Sequence, residues 1–331
     1  LHVLWAGQEA VLVFFVLSGL VLILPAARRG SMNWLAYYPS RLIRLYLPVV
    51  AAVALAIVLA RIWPRTADGA DSPWIQMHDE APTVASAVRN SFLLNGTTWL
   101  NSPLWSLQWE VLFSLLLPLY AWITLRWGRK YWLLIGVAFV ALILLGETAG
   151  IAALRYLPYF GLGALIGVNL HQLDGVGGRL DRSRGGMLLQ WSIIVAGALL
   201  LTFRWWPGTL LPAQLVWVAG VVTTIGAVVI VLVAVSLPRA QAVLSSRALV
   251  GAGTISFSLY LVHEPILVTL AVVVPPEASW LAFAAGIPLA ILAGLLFYLT
   301  VERNTHRLAR VTAQWISRRR SKSPLGRVEP S

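Results

Sequence analysis

Runs of about 20 residues in which apolar side chains follow one another almost without interruption recur along the chain. They fall at roughly 9–27, 46–62, 103–125, 131–149, 152–170, 188–204, 212–236, 248–273 and 279–301. At ~1.5 Å of helical rise per residue, ~20 such residues match the ~30 Å hydrocarbon core of a bilayer. The segments are apolar on every face, as helices surrounded by lipid and by one another must be. The pattern therefore predicts an all-α, polytopic transmembrane helix bundle with nine spans. Residues 1–305 form the membrane domain in this reading, and 306–331 a basic cytoplasmic tail.

Composition supports lipid as the solvent. Of the 331 residues 59% are hydrophobic and 11% charged, against ~45–50% and ~25% in a soluble domain. So thin a polar shell excludes a soluble enzyme, a disordered chain and a nucleic-acid-binding domain, despite the net charge of +12. The charge instead orients the helices. All but five of the 25 Lys and Arg fall in alternate connections: 27–45, 126–130, 171–187, 237–247 and the tail after 301. The five exceptions are Arg61, Arg65, Arg89, Arg155 and Arg204. The positive-inside rule puts the Arg-rich side, with the C-terminus, in the cytoplasm. All basic residues but Lys130 and Lys322 are Arg, which suggests a bacterium with a GC-rich genome and hence its inner membrane.

The longest external connection, 63–102, is expected to be too short and polar to build a core, though Trp74, Phe92 and Trp99 could hold it on the bilayer surface. Cysteine is absent, so a disulfide, a thiolate metal site and a Cys nucleophile are all excluded. No metal or permanently bound cofactor is expected. The chain opens on Leu1-His2-Val3, and nine spans with the tail inside leave residue 1 outside. A further helix upstream, making ten spans, is the expectation.

An ionisable residue inside a bilayer is a functional hypothesis by default. Glu110, within Leu104-Trp105-Ser106-Leu107-Gln108-Trp109-Glu110, sits about 10 Å below the external end of its helix. It serves either chemistry or an ion pair between helices. His263, in Ser256-Phe257-Ser258-Leu259-Tyr260-Leu261-Val262-His263-Glu264, is either a general base or a structural donor. Arg41 and Arg44, three apart, share a face if helical and suit a phosphorylated ligand, or else merely mark the cytoplasmic side. Gly163 and Gly167, like Ser18-Gly19, have the spacing of close helix packing. The run Arg318-Arg319-Arg320-Ser321-Lys322 reads as a solvated anchor to anionic headgroups.

Together these strings resemble the acyltransferase family 3 membrane proteins, the O-antigen acetylase type. Phe14-Phe15-Val16-Leu17-Ser18-Gly19 resembles the family's FFVLSG signature, and Tyr38-Pro39-Ser40-Arg41-Leu42-Ile43-Arg44 before Pro48 its RxxR segment. Leu104 to Phe113 is similar to LWSLxxExxF, and Tyr159-Phe160-Gly161-Leu162-Gly163-Ala164 to YFLLGA. Ser256 to His263 is similar to SYSLYLWH, and Val301-Glu302-Arg303 to the closing IERP. Departures are Asn304 for the last Pro, Ser114 for a Tyr, and Glu264 after the His.

The resemblance implies an enzyme that moves an acetyl or other short acyl group from cytoplasmic acyl-CoA to a hydroxyl. The acceptor would be a cell-envelope glycan or a glycosylated metabolite. It implies Arg41 and Arg44 as contacts to the CoA phosphates, with His263 and Glu110 as catalytic polar groups. The family's first helix carries an Arg and a His, with which His2 is not equated. Those two are expected on the upstream helix, and residues 1–331 alone are expected to be inactive. A transporter or flippase for a glycan or lipid is the alternative. The RxxR pair and the lack of internal repeats favour the acyl-CoA user.

Overall fold

The computed structural model describes residues 7–65, 73–93, 96–182, 185–205, 210–212 and 215–322. Leu1, His2 and the end of the basic tail lie outside them, as do the side chains of residues 320–322. The described residues form helices α1 (Gly7–Arg29), α2 (Trp34–Ile62), α3 (Pro73–Met77), α4 (Val84–Phe92) and α5 (Trp105–Trp127). They continue with α6 (Trp132–Ala149), α7 (Ala152–Arg182), α8 (Gly186–Leu201) and α9 (Val216–Ser236). The last are α10 (Pro238–Leu244), α11 (Arg247–Val273), α12 (Ser279–Phe297) and α13 (Arg303–Lys322). Seven helical stretches among the described residues are long and apolar enough to cross a membrane. The protein is thus an all-α, multi-pass membrane helix bundle. The spans expected at 152–170 and 188–204 are helices too, within α7 and in the shorter α8.

The chain divides into two compact units: Leu1–Met32 with Leu112–Val250, and Asn33–Val111 with Gly251–Ser331. In the first unit α1 packs on α7, and backbone drives the contact. A Cβ on Gly19 would strike the carbonyl of Phe160, and one on Gly163 the carbonyl of Val16. Hydrocarbon gives no hydrophobic push between helices, so close backbone approach through small residues supplies the attraction instead. Phe15 and Phe113 stack on Phe160 with ring centroids 4.6 and 4.5 Å away. The FFVLSG-like and YFLLGA-like strings are therefore two halves of one packing seam.

In the second unit α2 carries its core on one stripe: Leu45, Val49, Ala52, Val53, Ala56 and Ala60. The 3.6-residue period of a helix puts all of these on one side. They close on Leu104, Leu107 and Val111 of the α5 end and on Leu261 and Val262 of α11. Asn33 caps α2, its side chain accepting from the Ala36 amide. The span expected at 46–62 thus begins at Trp34, and Arg41 and Arg44 lie in its first turns rather than in a connection. A π-helical turn at Tyr298–Glu302 joins α12 to α13, and α13 packs back on α2. The boundary drawn at 305 falls inside this helix.

The segment 63–102 corrects the sequence reading, because it does build a core. Leu93, Leu100, His78, Asn90 and Asn101 are fully buried. Helix α4 starts from a capping box in which Thr83 and Ser86 bond each other's backbone amides, an arrangement that satisfies two orphan donors at once. Its polar Ser86 and Asn90 face inward, while Val84, Val88 and Phe92 are exposed. At its two ends the Pro82 carbonyl accepts from Arg61 and the Phe92 carbonyl from Tyr46. Those partners stand about four turns apart on α2, so α4 lies along that helix.

Candidate functional site

Two polar clusters lie inside the second unit. The first joins α2, α5, α11 and α13. The Arg41 guanidinium donates to Glu110 Oε1 in a largely buried ion pair. Arg44, one turn on, is exposed and within charge range of Arg41 and Arg310, which repel it, and of Glu110 and Glu302, which attract it. Glu302, from the π-helical turn, accepts from the hydroxyl of buried Ser258 at 2.5 Å. Its other oxygen lies 3.5 Å from His306 Nε2. Charged groups survive at such burial only when paired and hydrogen-bonded, which these are.

The contacts link the strings read from the sequence. Arg41–Glu110 ties the RxxR-like segment to the LWSLxxE-like one. Tyr260 and Ser106 share a hydroxyl–hydroxyl bond of 2.7 Å, tying the latter to the SYSLYLWH-like helix. Ser258–Glu302 ties that helix to the IERP-like turn. Glu110 and His263 do not meet directly. The His263 Nδ1 lies 3.1 and 2.9 Å from the carbonyls of Leu259 and Tyr260 in its own helix. A carbonyl can only accept, so Nδ1 carries a proton and Nε2 is the ring nitrogen left for a proton transfer. Nε2 is thus the nitrogen a general base would use, on a half-buried side chain.

The second cluster was largely missed. Glu264, beside His263, receives the Ser102 amide at 2.5 Å and the Ser102 hydroxyl at 2.5 Å. Ser102 opens the 3₁₀ turn that runs into α5. The carboxylate therefore satisfies an orphan amide where the helix dipole favours negative charge. His78 lies fully buried with Nε2 3.1 Å from Glu264 Oε1 and Nδ1 2.7 Å from the Trp74 carbonyl. Its ring sits between those of Trp74 and Trp99, at 4.6 and 5.4 Å. Buried Arg65 donates to the carbonyls of Trp99 and Leu100. Burial lowers this guanidinium from its ordinary value, opposed by the charges of Glu264 and Glu80. The Asn101-Ser102-Pro103 helix-start signal was readable in the sequence, but nothing there pairs a lone loop His with Glu264.

With this geometry in hand, one comparison decides the family. A family model described as an acyltransferase domain, that of acyltransferase family 3, matches residues 5–299. The chain belongs to acyltransferase family 3. It is a multi-pass membrane protein carrying an acyltransferase domain. No curated protein and no solved structure gives a significant match. The matched residues include Arg41, Arg44, Glu110 and His263, so both clusters lie almost wholly within the acyltransferase domain. Glu302 and α13, which meet the first cluster, follow the matched residues. Among the described residues no group of three or more His, Asp or Glu could hold a metal.

Proposed function

We propose that the protein is an O-acyltransferase of the bacterial inner membrane. It takes an acetyl or other short acyl group from cytoplasmic acyl-CoA and passes it to a hydroxyl of a cell-envelope glycan or glycosylated metabolite. The reading assigns the Arg41 and Arg44 end of α2 to the cytoplasmic side and residues 63–102 to the external side, as the distribution of Arg requires.

The observation that supports it best is the state of Arg44. Arg41 is held by Glu110, whereas Arg44 is exposed, with Arg41 and Arg310 as neighbouring cations and Glu110 and Glu302 as neighbouring anions. Clustered guanidinium groups suit a polyphosphate, which they bind through paired, charge-assisted hydrogen bonds. The acyl-CoA phosphates supply that partner.

The transfer balances without a cofactor. The acceptor oxygen bonds to the acyl carbon, the carbon–sulfur bond breaks, and the hydroxyl proton ends on the departing CoA sulfur. His263 Nε2 takes the proton as general base. The thioester oxygen needs a donor as negative charge develops on it. A Cys-acyl intermediate is excluded because the sequence has no Cys. The test is acetyl-CoA binding to the protein in lipid nanodiscs. Arg44→Glu should abolish saturable binding, and equal binding by the variant and the parent would refute the donor assignment.

A further inference from the structure

The connection from α5 to α6 carries exposed Arg126, Arg129 and Lys130. Alone, these cations would only mark the cytoplasmic side of a membrane protein. Beside them, however, the structure has an open cavity of about 320 Å³, within the ~300–1,000 Å³ range of small-ligand pockets. Its walls are Ile123 and Trp127 of α5, Tyr131 of the connection, and Leu134 and Ile135 of α6. These side chains are aliphatic or aromatic. A void against them forfeits dispersion contacts that a hydrocarbon chain would supply.

Both the wall and the cations are held in place. The Gly128 amide donates to the Thr124 carbonyl at 2.8 Å, and the Tyr131 amide to the Trp127 carbonyl at 2.9 Å. Buried Asn169 of α7 donates to the Gly128 carbonyl at 3.0 Å. Trp127 meets Trp122 edge-on, with ring centroids 4.7 Å apart. Lys130 Nζ lies 5.0 Å from the centre of the Tyr131 ring, which stations a cation on the same ring that walls the cavity. A site fixed before its ligand arrives binds it at lower cost.

The chemistry of the occupant follows from this division. A soluble phosphate ester would use the cations and leave the cavity empty, and a neutral lipid would do the reverse. An anionic amphiphile uses both. We propose that this end of α5 and α6 is a binding site for one anionic phospholipid, with an acyl chain in the cavity and its phosphate held by Arg126, Arg129 and Lys130. Basic pockets beside membrane helices on the cytoplasmic side take acidic headgroups, and Trp and Tyr suit the boundary between headgroup and acyl chain. The site lies in the first unit and uses no residue of either polar cluster, so it stands independently of the acyltransferase reading.

The test uses the full chain in nanodiscs. The sequence has no Cys, so Leu134→Cys on the cavity wall and Leu145→Cys, exposed on the same helix, each give a single attachment point for a bimane fluorophore. Quenching is measured with phosphatidylglycerol or phosphatidylcholine brominated on its acyl chains, which yields their relative binding at each position. The preference for phosphatidylglycerol should be greater at 134 than at 145 by about fivefold or more, the contribution of one cation or several. Arg129→Gln with Lys130→Gln should bring the preference at 134 down to that at 145, with the melting temperature kept. Arg126→Gln serves if the double variant fails to fold. Equal preference at both positions would overturn the site. A preference at 134 that persists without the cations would overturn the headgroup assignment. Relief of the quenching by inorganic phosphate would overturn the lipid in favour of a soluble phosphate.

Discussion

Arg41 on α2 and Glu110 on α5 form a largely buried ion pair across 69 residues of sequence. It turns an Arg motif in the first turns of α2 and a carboxylate of α5, which could have been separate features, into one structural unit. Breaking a buried pair by removing one partner strands the other charge, at a cost of about 3–5 kcal/mol. Glu110→Ala and Arg41→Ala should therefore each lower the melting temperature in detergent. The exchanged variant Arg41→Glu with Glu110→Arg should recover part of the loss. Additive losses in the exchanged protein would show that the two side chains do not support each other.

The α1–α7 seam gives a prediction about packing alone. Gly19→Ala or Gly163→Ala places a methyl against a neighbouring backbone carbonyl, which cannot rotate away. Forcing the helices apart should cost about 1–3 kcal/mol, read as reduced thermal stability. Gly7→Ala, with nothing near its Cβ, is the matched control and should be neutral. Equal stability in all three would contradict backbone-to-backbone packing.

The sequence was most informative where one physical requirement dominates. Unbroken apolar runs announce spans because lipid tolerates little else. Arg41, Arg44, Glu110 and His263 stood out because charge is costly among such runs. The early start of α2 was obscured by the same two Arg, which depress local hydropathy although Asn33 caps the helix and Trp34, Tyr37 and Tyr38 follow. The fold of 63–102 was hidden by an inverted pattern, since α4 turns Ser86 and Asn90 inward and Val84, Val88 and Phe92 outward. His78 and Glu264 are distant in sequence, and no periodicity predicts their pairing.

His263 should be separable from the structural groups around it. Among the described residues its hydrogen bonds run to carbonyls of its own helix, so His263→Ala should leave insertion and acetyl-CoA binding intact. In a version that also carries the upstream helix expected from the sequence, loss of a general base should slow transfer about 10²–10⁴-fold. His263→Gln, which can keep a donor to those carbonyls but offers no base, should be as slow. Transfer at the parental rate in either variant would confine His263 to structure.

The proposed orientation is open to a labelling test. A cysteine introduced at exposed Arg129, in the connection that also carries Arg126 and Lys130, should be reached by an impermeant thiol reagent only from the cytoplasmic side. One at Glu80 should be reached only from the external side. Labelling of position 129 from outside would reverse the topology and, with it, the side on which the donor binds.

The donor assignment is the centre of the account, and binding of radiolabelled acetyl-CoA to the protein in nanodiscs tests it most directly. Parental protein should bind saturably and lose that binding as salt is raised, because phosphate contacts are screened. The Arg41→Ala, Arg44→Ala double variant should lose it, and lysine at both positions should restore it only in part, since Lys lacks the planar fork. Saturable binding of equal affinity in the parent and the double-alanine variant would contradict the account.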